Sequence, residues 1–174
     1  MDVLWAPWRS EYIQGFKDEE KGLIKPECFL CEAAACDPAR ERELLVVARR
    51  KECFVMLNKF PYNGGHLLIA PYRHIGGIDE LTDAELCDIM RVTRESIAVL
   101  KKTSNPHGFN IGANLGRVAG AGVPGHLHYH VVPRWSGDTS CLAVISDTKV
   151  VSQSLDELQV ILAKQFLKSE GTSK

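Results

Sequence analysis

No run of the 174 residues is apolar for long enough to span a bilayer, which sets aside an integral helical membrane protein. Met1 to Phe16 has no apolar core of the kind a signal peptide needs, so a cytoplasmic protein is expected. Charge of one sign is missing too, since 21 basic against 22 acidic residues leave a net charge of -1. That balance gives no general pull toward nucleic acid polymers or anionic membranes, so phosphate recognition has to be local. There is no internal repeat and no low-complexity tract. What is present, 45% hydrophobic and 25% charged residues, fits one globular core with an appended segment at either end.

Six cysteines suggest disulfides only in an oxidising compartment, and a core of this size needs no staples. Cys53, Cys87 and Cys141 sit in apolar segments and read as small buried hydrophobes. Cys28 and Cys31 differ: a Cys-x-x-Cys pair supplies half of a tetrahedral zinc site.

Along the chain, Leu4-Trp5-Ala6-Pro7-Trp8-Arg9 with Tyr12, Ile13 and Phe16 marks residues 1–25 as an aromatic arm, packed on the body or on a second subunit. Residues 26–140 carry the main domain. Within it, Glu43 to Ala48, Cys53 to Leu57, His66 to Pro71 and Phe109 to Leu115 read as strands. Thr82-Asp83-Ala84-Glu85 is a capping-box pattern opening a helix to about Lys102. Its apolar stripe is Leu86, Ile89, Met90, Ile97 and Leu100, interrupted by Thr93. Residues 141–174 form a C-terminal extension whose helix opens with a second capping box at Ser154 and presents Leu158, Ile161, Leu162 and Phe166. Strands and helices that do not alternate regularly indicate α+β with a mainly antiparallel sheet.

Three of the six histidines fall at alternate positions, His126, His128 and His130, behind the loop glycines Gly122 and Gly125. On a strand this spacing lines three imidazoles along one face, with Leu127, Tyr129 and Val131 on the other. Unpaired imidazoles are costly to bury, which argues against a mere polar stripe. Two chemistries fit. All three could ligate a catalytic metal that activates water. Alternatively, one is a nucleophile toward phosphorus and its neighbours orient it. The run Gly116-Arg117-Val118-Ala119-Gly120-Ala121-Gly122 suits the second, because closely spaced glycines let backbone N–H groups reach phosphate oxygens. It is also what any flexible hairpin needs.

His126-Leu127-His128-Tyr129-His130-Val131-Val132 resembles the signature of the histidine triad family. The likeness extends to Leu57-Asn58, to Gly65-His66 with Ile69-Ala70-Pro71-Tyr72-Arg73-His74, and to Phe109-Asn110-Ile111-Gly112-Ala113-Asn114. The opening tryptophan segment and Pro133-Arg134-Trp135-Ser136-Gly137-Asp138 are similar to a bacterial branch of diadenosine tetraphosphate phosphorylases and nucleotide hydrolases.

The resemblance implies a bent, mainly antiparallel sheet of about five strands with the Thr82 helix across it. It also implies a homodimer in which that helix and a central strand meet their two-fold mates. By similarity His128 attacks the α-phosphorus of a nucleotide, such as a dinucleoside polyphosphate, and forms a nucleotidyl-histidine. His130 touches the α-phosphate or the bridging oxygen, Asn58 contacts ribose, and Asn114 lies near the phosphates. The family's glutamine or serine before the triad is replaced by Gly122, Val123 and Pro124, which leaves backbone N–H groups as donors there. In zinc-bearing members, the positions of Cys28, Cys31, His74 and His126 form a structural Cys2His2 site, for which Cys36 is a poorer candidate. His66 matches a position beside the active site, though a hydrogen-bonded core histidine reads the same way. His107 reads as solvated. Arg134 and Trp135 either face the leaving group or end a strand. Two other functions stay open: a nucleotide-binding regulatory module with little turnover, and the metal-dependent hydrolase.

Overall fold

The computed structural model describes residues 28–138 and 153–170, so the 1–25 arm and Cys141 lie outside it. Its strands are β1 (Val46–Arg49), β2 (Cys53–Leu57), β3 (Leu67–Pro71), β4 (Gly108–Ala113) and β5 (Tyr129–Arg134). The helices are α1 (Phe29–Ala35), α2 (Asp83–Ser104) and α3 (Leu155–Glu170). The strands form one sheet in the order β1-β2-β3-β5-β4, every neighbouring pair antiparallel. The α+β architecture with five strands and a long helix is as the sequence suggests.

Alternation along the strands sorts the core into two layers. Val55, Leu57, Leu67, Ile69 and Val131 face Ile89, Val92, Val99 and Leu100 of α2 and Leu158, Leu162 and Phe166 of α3. Phe54, Met56, Leu68 and Ala70 face Leu30 and Ala33 of α1 on the other side. A strand covered on both faces needs no polar alternation, which is why β2 and β3 read as continuous apolar runs.

Several elements differ from their sequence outline. β1 begins at Val46 rather than Glu43, because Leu45 turns the chain in a left-handed conformation with φ 60°. In α2 the capping box forms as expected, Thr82 Oγ1 accepting from the Glu85 amide and Glu85 accepting from the Thr82 amide. Its stripe is shifted: Met90 is 48% exposed, while Val92, Ser96 and Val99 are buried. Thr93 does not interrupt the stripe, because its hydroxyl donates to the Ile89 carbonyl at 2.8 Å and the side chain is buried. In α3 Ile161 is exposed and Gln159 is buried instead, donating to the Val46 carbonyl at 2.6 Å. Cys53 is buried, but Cys87 is exposed on α2, contrary to its apolar neighbourhood in sequence.

Candidate active site

His130 lies opposite Leu68 in the β3–β5 ladder, and directly opposed residues point to the same face. The imidazole therefore sits on the α1 side of the sheet, as does His66 by its even spacing from Leu68 and Ala70. The strand expected to carry all three triad histidines is shorter than that. β5 starts at Tyr129, so only His130 is in the ladder. Continuing the register would set Ala70 opposite His128 and then Pro71, which has no N–H to donate, opposite Leu127. Leu127 instead donates to the Ile75 carbonyl at 2.6 Å. The alternation survives on the opposite side, where Leu127 and Val131 are buried in the core under α2.

The triad consequently divides. His126 donates from Nε2 to the Pro71 carbonyl at 3.0 Å, which turns Nδ1 toward the sulfurs of Cys28 and Cys31 at 3.3 and 3.4 Å. His74 Nδ1 lies 3.2 Å from Cys31 Sγ. These four ligand atoms all fall within 4.8 Å of one another. Tetrahedral zinc with Zn–S of about 2.3 Å and Zn–N of about 2.0–2.1 Å separates sulfur from nitrogen by about 3.6 Å, so the donor set fits such an ion closely. Burial, followed by the neighbouring Cys28, pushes the Cys31 thiol up to about 11. A bound cation would reverse that and make both groups thiolates at neutral pH. Cys36 is not in the cluster; its sulfur lies 3.1 Å from the Arg49 guanidinium.

Two glycines let the cluster close. A Cβ on Gly76 would stand 2.7 Å from the Pro124 carbonyl oxygen, and one on Gly125 would stand 3.2 Å from His74 Nε2. Arg73, just before His74, is held by Glu85 in a two-pronged pair at 2.7 and 2.6 Å. That pair, with the Thr82 bonds, holds the Glu85 carboxyl down at about 2.

His128 and His130 form the other part, with ring centroids 5.1 Å apart. His128 Nδ1 lies 2.8 Å from the His126 carbonyl, so it carries the proton and Nε2 carries the lone pair. The tautomers behind His130 can be worked out from donors that have no choice. The Phe60 amide donates to Asn58 Oδ1 at 2.9 Å, which leaves Asn58 Nδ2 facing His66 Nδ1 at 3.3 Å. The Tyr62 amide also donates to His66 Nδ1, at 3.1 Å. His66 must then be protonated on Nε2, which donates to His130 Nδ1 at 2.9 Å. His130 is left with its proton on Nε2, a buried N–H with no partner among the described residues. Burial first, and the neighbouring His128 second, lower His130 to about 4, and burial lowers His128 as well. Both rings are neutral at physiological pH.

His66 is thus tied to the triad rather than to the core alone. Asn58 joins the same network. Asn114 instead donates to the Gly120 carbonyl at 3.2 Å, and among the described residues neither it nor Gly122 bonds a triad imidazole. The glycine loop folds as a 3-10 turn, Arg117–Ala119, with positive φ at Gly116 and Gly120. The amides of Ala119, Gly120 and Ala121 bond within the loop, whereas those of Gly122 and Val123 make no backbone bond among the described residues. Arg134 pairs with Asp138 and donates to Asn110, and Trp135 donates to the Ser104 carbonyl at the end of α2. Both serve the strand end. His107 is not simply solvated, since its Nδ1 accepts from the Ser136 amide at 2.9 Å.

Two features escaped sequence reasoning. Tyr62 stacks on His66 and His130, with centroids at 4.7 and 5.9 Å. Asn63, buried, donates to the Pro133 carbonyl at 2.9 Å and to Asp138 at 2.7 Å, pinning the loop that carries Tyr62. The Pro-Tyr-Asn-Gly-Gly composition signals only a turn.

A model of the HIT domain matches residues 39–137. The AP-4-A phosphorylase of Mycobacterium tuberculosis is 39% identical over 165 residues, covering 94% of this chain and 83% of its own length. A hypothetical histidine triad nucleotide-binding protein of Sulfolobus tokodaii superposes with a TM-score of 0.65 at 26% identity, over 84% of this chain and 99% of its own. A Zn-bound histidine triad family protein from Mycobacterium smegmatis shares the fold at 19% identity, with a TM-score of 0.66 over 84% of this chain and 98% of its own. A domain match across more than half of the residues, and a relative this alike along nearly all of them, make this chain a member of the HIT family.

Proposed function

We propose that the protein is a nucleotidyl hydrolase or transferase acting on the α-phosphate of dinucleoside polyphosphates through a nucleotidyl-His128 intermediate. The observation that carries this reading is the pair of opposite tautomers. His128 offers a lone pair on Nε2, and His130 offers an N–H on Nε2, on neighbouring rings. A nucleophile beside a donor suits substitution at phosphorus. The phosphorylase activity in the name of the Mycobacterium tuberculosis relative agrees with it.

In the reaction, His128 Nε2 forms a bond to the α-phosphorus while the bond to the bridging oxygen breaks. The electron pair leaves with a nucleoside polyphosphate anion, and no proton need move. His130 Nε2–H binds that oxygen as charge builds on it. The cation formed on His128 keeps its Nδ1 proton on the His126 carbonyl. Water or inorganic phosphate then takes the nucleotidyl group, the P–N bond breaks, and neutral His128 returns; with water, one proton passes to solvent. Asn58 binds ribose, and Asn114 with the Gly122 amide meets the phosphates.

Cys28, Cys31, His74 and His126 hold one structural zinc, which ties the start of α1 to the loop after β3 and to the residue before the nucleophile. The donor chemistry and the separations of the four atoms support this assignment. The metal-hydrolase alternative needs three imidazoles around one ion, and the turn of the His126 ring toward the cysteines argues against it. The protein works as a homodimer in the cytoplasm, joined through α2 and, in place of the central strand that the resemblance implies, the edge strand β4. Exposed Met90 on α2 and exposed Ile111 on β4, an edge strand, support that interface. The histidine triad domain is read as residues 26–140, with 1–25 and 141–174 outside it.

Mid-reaction quenching at alkaline pH, followed by mass spectrometry, tests the chemistry. A nucleotidyl adduct on His128 is expected, and turnover with no adduct, abolished at once by a chelator in still-folded protein, would overturn it.

A further inference from the structure

Four rings stand in a row at the site. His128 touches His130 at 5.1 Å between centroids, His130 touches His66 at 5.1 Å, and Tyr62 lies over both His66 and His130. Burial differs among the four. His128 is 7% exposed and His66 is fully buried, whereas Tyr62 at the outer end is 42% exposed. An aromatic face left this open beside the imidazoles can pack on a flat ligand. Its backbone is held firmly: the Tyr62 amide is bonded to His66, the next residue is clamped to Asp138, and the His66 amide closes the turn onto the Asn63 carbonyl at 3.1 Å. A ring fixed in advance binds a flat ligand with little ordering cost.

The direction of the reaction says which flat ligand that is. The bond that breaks at phosphorus lies opposite the attacking His128 nitrogen, and His130 attends the departing oxygen. Tyr62 packs on His130, with ring centroids 5.9 Å apart, and so stands next to the ring that attends that oxygen. We infer that Tyr62 is the stacking platform for the base of the departing nucleoside, and so sets the preference for substrates with a second nucleoside over those with a small leaving group. This rests on the nucleotidyl-histidine reading above. Stacking uses the π-face that every base has, so the platform accepts adenine and guanine alike.

The test compares kcat/KM for diadenosine tetraphosphate with kcat/KM for adenosine 5′-phosphoramidate, which has no second base, in the full-length protein. Tyr62→Leu, which keeps most of the volume against His66, should lower the ratio of the two values by about tenfold, chiefly through KM for the dinucleotide, from the strength of one base–aromatic stack. Tyr62→Phe should keep the wild-type ratio, since the face and not the hydroxyl acts. An unchanged ratio in Tyr62→Leu, even with both rates reduced, would mean the ring only props the histidines and would overturn the proposal. A larger loss for the phosphoramidate would overturn it too, by assigning the ring to the nucleoside that stays. Wild-type protein that turns over neither substrate would remove the underlying reading, and this inference with it. That outcome is distinct, because it appears before any variant is made.

Discussion

The carbonyl of His126 and the imidazole of His128 are 2.8 Å apart, and the imidazole of that same His126 lies 3.3 Å from Cys28 Sγ. One residue therefore orients the proposed nucleophile with its backbone and belongs to the Cys/His cluster with its side chain. Displacing the His126 ring would move the carbonyl that fixes the His128 tautomer.

Replacing His128 by Ala should abolish turnover, leaving no activity above contaminant level. Nucleotide affinity should change little, because the groups proposed to bind ribose and phosphate remain. Equilibrium binding beside a turnover assay checks both halves.

Protein purified without chelator should hold one zinc per chain by elemental analysis. Cys28→Ser should lose the ion and lower the midpoint of thermal unfolding. Slow chelation should reduce turnover in step with the loss of near-UV dichroism, because the ion acts on His128 through structure. Metal-free protein of undiminished stability would contradict the assignment.

His66→Phe should cut kcat by about tenfold or more with a smaller change in KM, since it frees His130 Nδ1 to take the proton that Nε2 must carry. Steady-state kinetics separates this from a packing defect, which would lower stability first. Unfolding curves of the variant supply that control.

Burial lowers the folded pKa of both His128 and His130, the latter to about 4. A lowered histidine stays neutral to more acidic pH than the ordinary 6.5. The acid limb of kcat/KM, set in this mechanism by protonation of His128 Nε2, should therefore lie below 6.5. A limb centred at or above 6.5 would contradict the lowering of His128 by burial in the free enzyme.

Glu85 caps α2 and pairs with Arg73, and its folded pKa of about 2 lies under the ordinary 4.5. Its stabilising effect is full above 4.5 and fades as the pH drops toward about 2. Glu85→Gln should cost about 1–3 kcal/mol at neutral pH and flatten that acid dependence, as denaturant titrations at several pH values would reveal.

Much of this arrangement is legible from residue order alone, because it depends on local rules. The Thr82–Glu85 cap, the apolar runs of β2 and β3, and the Cys-x-x-Cys pair each act over a few residues. The split of the triad is not legible that way. It follows from the carbonyl of Pro71, 55 residues before His126, which turns that ring aside. The same holds for His66 and His130, whose 2.9 Å contact spans 64 positions and exists only because β3 and β5 are neighbours. Met90 and Ile161 were misread because an apolar residue at helical spacing is counted as core, although a helix can leave some of that stripe facing outward.

Gly76 and Gly125 supply no ligand atom, yet a side chain at Gly76 would meet backbone and one at Gly125 would press on His74 itself. A single methyl at Gly76 would collide with the Pro124 carbonyl, and the loops bearing His74 and His126 would have to separate. A descendant of this protein could thus keep Cys28, Cys31, His74 and His126 unaltered and still lose the arrangement proposed to hold zinc. Counting ligands in a relative is therefore not enough to infer a working clamp; the two bare positions have to be inherited along with them.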